Sequence, residues 1–139
     1  MSETSIRQEI YDIVSAVSDV GRVYDYERLA NDLSTFIDCF KAPSGDIRGW
    51  TITCAGWTQE YNRRVYVYKI RGYFGLYDSA ASEKTALAIV DSVARALNAS
   101  DVFDDNEVAQ LDVFEPRMFG GTLCHYAELT FRVKESEVF

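Results

Sequence analysis

The sequence predicts an α+β fold in which an antiparallel or mixed β-sheet of two hairpins packs against two main α-helices. Two kinds of apolar spacing support this class. Helical spacing occurs near the N-terminus and again in residues 82–98, whereas a period of two occurs in residues 47–58, 63–76 and 123–133. The predicted order is helix, short extended segment, weaker helix, hairpin, helix, hairpin.

The first helix is predicted over residues 5–18, and Ser5 followed by Gln8 suggests a capping-box start. Its apolar positions form one helical stripe: Ile6, Ile10, Ile13, Val14 and Val17. Gly21 permits a sharp exit into residues 22–26, whose branched and aromatic side chains favour a short extended segment.

A second, weaker helix is predicted from apolar residues at i, i+3, i+4 and i+7, which are Leu33, Phe36, Ile37 and Phe40. Asn31 or Asp32 could cap its start, and Pro43 with Gly45 would end it.

The first hairpin is predicted to pair residues 47–58 with residues 63–76, with its tip at residues 59–62. One face of its first strand would carry Trp50, Ile52 and Cys54. In its second strand, Tyr66, Tyr68, Ile70 and Phe74 would oppose Val65, Val67 and Tyr73. Both faces carry large side chains, so we expect helices on one face and a further element, such as a neighbouring subunit, on part of the other.

The third helix is predicted over residues 82–98, with Ser82 as its N-cap. Its predicted apolar stripe is Leu87, Val90, Ala94 and Leu97. In the last hairpin, Gly120 and Gly121 supply the turn. Because Pro116 cannot donate to a strand ladder, the strand before that turn should lie at a sheet edge or carry a bulge.

Length and composition indicate one globular domain spanning residues 1–139, with 47% hydrophobic and 14% aromatic residues. The net charge of −8 argues against a general nucleic-acid binder, because phosphate neutralisation requires a cationic surface. The N-terminus is polar and no apolar run reaches the ~18 residues of a membrane span. We therefore expect a cytosolic protein with neither signal peptide nor anchor.

Candidate chemical groups are few. The three cysteines, Cys39, Cys54 and Cys124, are odd in number and lack CxxC spacing, which favours reduced thiols over disulfides or a zinc site. His125 is the sole histidine and could act as a base, but the sequence identifies no nucleophile and no orienting carboxylate for it. Cys124 should point to the opposite face of the same strand. We expect no enzyme and no cofactor, and a structural role for His125.

An acidic stretch comprises Asp101, Asp104, Asp105 and Glu107. Its carboxylates could bind Ca²⁺ or Mg²⁺, but the alternating ligand spacing and central glycine of a calcium loop are missing, so a solvated acidic loop is the favoured interpretation. No glycine pattern of a phosphate-binding loop opens a helix.

The best candidate binding site lies at the tip of the first hairpin, where Arg63 and Arg64 are flanked by Trp57 and Tyr61. Arginine with aromatic residues is typical of binding hot spots, and such a tip could hold an acidic partner protein. A solvated turn is the alternative interpretation.

Several stretches resemble the small tail-assembly proteins of long-tailed bacteriophages and prophages. They are residues 20–28 (VGRVYDYER), the short helix ending at residues 36–40, residues 47–52 (IRGWTI) and residues 119–129 (FGGTLCHYAEL). The order of elements is also similar to that of tail terminator, or tail completion, proteins.

This resemblance implies a non-catalytic structural protein that forms a ring, commonly a hexamer. Such a ring caps the tail tube, joins it to the head connector, and lets DNA pass without specific binding. The protein would assemble in the host cytoplasm and remain in the virion. The expected contact residues are Trp57, Tyr61, Arg63, Arg64, Arg117 and Phe119, within segments 57–64, 116–122 and 134–139. The acidic residues 101, 104, 105 and 107 would then face the lumen.

Two alternatives stay open. A head-tail connector or neck adaptor is the nearest. A small ligand-binding or enzymatic α+β domain is more distant, and a pocket containing His125 would be its sign.

Overall fold

The computed structural model describes residues 2–28, 33–42, 46–76, 81–103, 105–119 and 121–135. Its elements in chain order are α1 (Glu3–Ser15), β1 (Arg22–Tyr24), α2 (Leu33–Phe40), β2 (Arg48–Glu60), β3 (Arg63–Gly75), α3 (Ser82–Ala99), β4 (Asp105–Asn106), β5 (Gln110–Phe119) and β6 (Thr122–Lys134). None of the described helices is long and apolar enough to cross a membrane.

The strands form one mixed sheet in the order β1-β2-β3-β6, and both β4 and β5 lie along the remaining edge of β6. β1 is parallel to β2, and all other neighbours are antiparallel. The predicted α+β class is therefore confirmed. The short β4 was not predicted, because its two polar residues carry no strand pattern.

The main core lies between one face of the sheet and helices α1 and α3; we call this face the helix face. Alternate residues of each strand point into this core. In β3 these residues are Tyr66, Tyr68, Ile70 and Phe74, which the period of two in the sequence had predicted. Facing them are Ile6, Ile10 and Val14 of α1 and Ala86, Ile89, Val90, Val93 and Leu97 of α3.

A second, smaller core lies on the opposite face, where α2 covers one end of the sheet. It consists of Phe36, Cys39, Phe40, Tyr73, Cys124 and Tyr126. Tyr73 points away from the main core, as predicted. Helices were expected on one face only, with a further element such as a neighbouring subunit on part of the other; the structure instead places helix α2 over one end of this second face.

The first helix differs from the prediction at both ends, since α1 begins at Glu3 and ends at Ser15. Ser2 is the N-cap, and its hydroxyl accepts a hydrogen bond from the backbone N–H of Ser5. Ser5 therefore closes the capping box as its third helical residue and does not start it with Gln8.

The start of α3 also differs, because Ala81 is the N-cap, with φ of 52°, and makes no side-chain cap. Ser82 already lies inside the helix. The predicted apolar stripe is rotated as well: Leu87 is 40% exposed, while Ala86, Ile89 and Val93 are buried.

Both hairpins form, with small differences in their strands. β2 continues to Glu60 with an irregularity between Cys54 and Gly56, so the turn contains only Tyr61 and Asn62. Pro116 lies in β5, which pairs only with β6 among the described residues, so its predicted edge position is confirmed. Residues 31, 32, 43, 45, 104, 120 and 136–139, to which predictions were attached, lie outside the described part of the chain.

Candidate functional site

Four of the predicted contact residues lie together at the turn joining β2 and β3; we call Trp57, Tyr61, Arg63 and Arg64 the hairpin end. Trp57 is 54% exposed and Tyr61 is fully exposed. The guanidinium carbon of Arg64 lies 4.8 Å from the centroid of the Trp57 ring, within cation–π range. The other contact of that ring is edge-on, at 6.0 Å from the Tyr66 ring. The hairpin end thus presents an oriented aromatic and cationic surface.

The hairpin end is tied to the sheet by hydrogen bonds. The Glu135 carboxylate accepts from the backbone N–H of Arg64 at 2.8 Å and from the Tyr66 hydroxyl at 3.2 Å. The Gln59 side chain donates to the carbonyls of Tyr61 and Arg63, both at 3.1 Å. Burial, together with the nearby Glu135 carboxylate, raises the pKa of Tyr66. Its hydroxyl therefore stays a donor at neutral pH.

Arg63 connects the hairpin end to the acidic stretch. Its Nη1 lies 3.7 Å from Oδ2 of Asp105, and Glu107 Oε2 lies 3.8 Å from Nη1 of Arg132. Asp101 is exposed. Two of the predicted lumen carboxylates therefore face arginines of their own chain, which reduces the negative charge they offer.

Arg117 and Phe119 lie at the other end of the sheet, beside the turn between β5 and β6. Phe119 stacks on Phe36 at 5.9 Å and contributes to the second core. Arg117 lies over the Tyr126 ring at 4.4 Å and pairs with Glu115 at 2.6 Å. The structure therefore divides the predicted contact residues between two opposite ends.

An apolar groove of about 390 Å³ runs between α3 and β5; we call it the α3–β5 groove. Leu87 and Leu111 line it and are 40% and 41% exposed. Its remaining lining residues are Val90, Asp91, Ala94, Ala109 and Leu129. This groove was not predicted from the sequence, because Leu87 was assigned to the buried stripe of α3. The signal was available in Ala86, Ile89 and Val93, which form a competing stripe one residue out of phase.

The part of the opposite face that α2 leaves uncovered carries a polar network. Arg71 donates to Thr53 at 2.8 Å and to Glu128 at 3.3 Å. Lys69 donates to the Thr130 hydroxyl at 2.7 Å, and Thr130 in turn donates to Asp112. Its two cations and two carboxylates balance each other across β3, β6 and β5, so this face is polar without a strong local charge.

His125 is 7% exposed, and its Nε2 lies 2.9 Å from the Ser82 hydroxyl. Its ring also stacks on Phe114, with centroids 6.1 Å apart. No carboxylate is among the hydrogen-bond partners described for His125, and neither the α3–β5 groove nor the open cleft lined by Arg48 and Lys84 includes it. A serine hydroxyl and an imidazole are therefore in contact, and the described residues place no hydrogen-bonded carboxylate beside that imidazole to orient it.

The thiols are arranged as the sequence predicted. All three cysteines are free, and Cys124 points into the second core, away from His125 on its own strand. Burial raises the pKa of the Cys124 thiol to about 11, so it stays protonated and unreactive at neutral pH. Among the described residues, no group of three or more His, Cys, Asp or Glu side chains is placed to hold a metal ion.

No protein-family model matches the chain, and no curated protein matches it significantly.

Proposed function

We propose that this protein is a ring-forming structural component of a bacteriophage or prophage tail, a terminator that caps the tail tube and joins it to the head connector. The observation that carries the proposal is the hairpin end, in which Trp57 is exposed beneath Arg64, and the backbone N–H of Arg64 is in turn held by a hydrogen bond to the Glu135 carboxylate. An exposed tryptophan held in one orientation by an arginine is a costly arrangement for a solvated turn and a common one at protein interfaces.

Two further properties support an assembly role. The hairpin end and the α3–β5 groove give each copy two different exposed surfaces, which is what a head-to-tail ring requires. The net charge of −8 and the balanced polar network of Arg71, Glu128, Lys69 and Asp112 would let DNA pass without adhering. The resemblance of residues 119–129 to tail-assembly proteins is consistent with these two properties.

Electron microscopy of particles assembled without the protein tests the role. A terminator predicts overlong tails, because nothing stops growth of the tube. Tails of normal length that are detached from full heads would instead identify a head-tail connector or neck adaptor. Complementation with the wild-type chain is the control, and it should restore joined tails of normal length.

An enzymatic α+β domain is the second candidate, and the contact between Ser82 and His125 favours it. A serine activated by a histidine reacts with phosphonate probes. The terminator proposal predicts no labelling of Ser82 by such a probe. Labelling that is lost in the His125→Gln variant would support the enzymatic alternative instead.

A further inference from the structure

Two strands leave long stretches of backbone without a neighbour in the described part of the sheet. β5 pairs with β6 on one side only. β2 pairs with β1 only at residues 49–51, so its outer side is open from residue 52 to residue 60. Open edges expose backbone N–H and C=O groups and are ready templates for pairing with another chain.

These two edges run in opposite directions. β2 and β6 point one way, whereas β3 and β5 point the other way, because each neighbouring pair among them is antiparallel. If the open edge of β2 from a second copy lies along β5, the new pair is therefore antiparallel. The alternation of strand directions then continues from one copy into the next.

Side-chain faces agree with this arrangement. Trp57 lies opposite Tyr66, and Leu111 lies opposite Leu129, so both Trp57 and Leu111 point to the helix face. When two sheets join edge to edge with their helix faces on the same side, Trp57 of one copy comes next to the α3–β5 groove of the other. The exposed aromatic ring and the exposed apolar groove then cover each other.

We propose that residues 57–60 of one copy lie antiparallel along residues 110–115 of the next copy, with Trp57 seated in the α3–β5 groove. This proposal rests on the proposed function, because the contact is the interface through which copies would assemble into a ring. It is a heterologous contact, in which each copy offers its hairpin end to one neighbour and its groove to the other.

Size, charge and backbone chemistry support this occupant. A groove of about 390 Å³ falls in the range of pockets that accept a ring-sized group. Arg64 lies over the Trp57 ring, and Asp91, which pairs with Arg95 of its own chain, lines the groove, so the Arg64 cation would approach this exposed carboxylate where the two copies join. Pro116 has no N–H to donate, which ends the usable edge of β5 at residue 115.

Two single-site variants disrupt the two sides of this contact one at a time, the hairpin end and the α3–β5 groove. Trp57→Ala removes the side chain that enters the groove, and Leu87→Asp places a charge on the groove wall. Both positions are well exposed, so both variants should fold, which circular dichroism checks. Leu111→Lys blocks the same groove from β5 if Leu87→Asp fails to fold. Val102→Asp, at a similarly exposed apolar residue outside the groove, is the matched control.

The test is the mass in solution, measured by light scattering. Each variant alone should be monomeric near 15.8 kDa under conditions where the wild type and the Val102→Asp control assemble. Mixed in equal amounts, the two variants should form pairs of twice that mass and stop there. Each pair joins the intact hairpin end of one variant to the intact groove of the other.

Other results would contradict the proposed contact between the hairpin end and the α3–β5 groove. Variants that assemble like the wild type would show that the ring uses different surfaces, and the proposed function would survive. A folded mixture that stays monomeric would show that the two sites do not meet each other. A wild type that stays monomeric at every concentration would instead count against the ring itself.

Discussion

Arg64 lies across the exposed ring of Trp57, with its guanidinium carbon 4.8 Å from the ring centroid. The stack is worth about 0.5–1 kcal/mol at an exposed site, enough to favour one orientation of the indole before any partner arrives. An interface that uses Trp57 then loses less side-chain entropy on binding.

Trp57→Ala should therefore weaken self-association by about 2 kcal/mol or more, roughly 30-fold in Kd, as for an interfacial hot spot. Arg64→Ala should cost less, about 1 kcal/mol, and Arg64→Lys should fall between Arg64→Ala and the wild type because it keeps the charge but loses the planar stack. Sedimentation equilibrium measures all three. Equal association constants for Trp57→Ala and the wild type would remove Trp57 from the interface.

Leu129→Ala should lower the free energy of unfolding by about 2–5 kcal/mol, because Leu129 is fully buried on the helix face of β6. Leu123→Ala is the matched control on the same strand and face, and it should cost little because Leu123 is largely exposed. Urea denaturation of the monomeric Trp57→Ala background gives both values. Equal losses at the two positions would contradict the described burial of β6.

Gly21→Ala should destabilise the fold more than Gly121→Ala. Both glycines have positive φ, 94° and 80°, so either change adds backbone strain of about 1–2 kcal/mol. At Gly21 an added Cβ would also lie 2.1 Å from the carbonyl oxygen of Arg48, whereas at Gly121 nothing lies within 4 Å. Thermal melts compare the two variants, and a higher Tm for Gly21→Ala than for Gly121→Ala would refute the close approach.

The free energy of unfolding should fall at alkaline pH because the Cys124 thiol is buried. Burial raises its pKa to about 11 from an ordinary value near 9, so between these values the unfolded chain loses the proton while the folded chain keeps it. The stability that the buried, protonated thiol contributes is complete below about pH 9 and is lost as the pH rises to about 11. Cys124→Ala should therefore lose less unfolding free energy than the wild type over that interval. Parallel losses would show that the thiol is not buried.

Much of the fold could be predicted from residue spacing. The two faces of β3 are an example. Ile70 and Tyr73 lie on opposite faces because side chains alternate along a strand, and helices pack against both of them: α1 and α3 on the face of Ile70, and α2 on the face of Tyr73. The edge position of Pro116 followed from a missing N–H, which no tertiary context can replace.

Helix ends and helix phase were harder to predict. Ser82 has the chemistry of an N-cap, but its hydroxyl contacts His125, a residue 43 positions later in the chain. Leu87 fits one apolar stripe of α3 while Ala86 fits another, and the packing of α3 against α1 and the sheet decides which one is buried. The contacts of Arg63 with Asp105 and of Trp57 with Arg64 are likewise set by strand register. Local spacing does not determine these contacts.

Ring formation is tested by measuring the mass of the wild-type protein across a wide range of concentration and by recording negative-stain images of the same samples. For a ring-forming protein, the mass should rise with concentration to that of a closed oligomer, which should appear in the images as a hollow ring. A 15.8 kDa monomer at every concentration, with no rings in the images, would contradict ring formation.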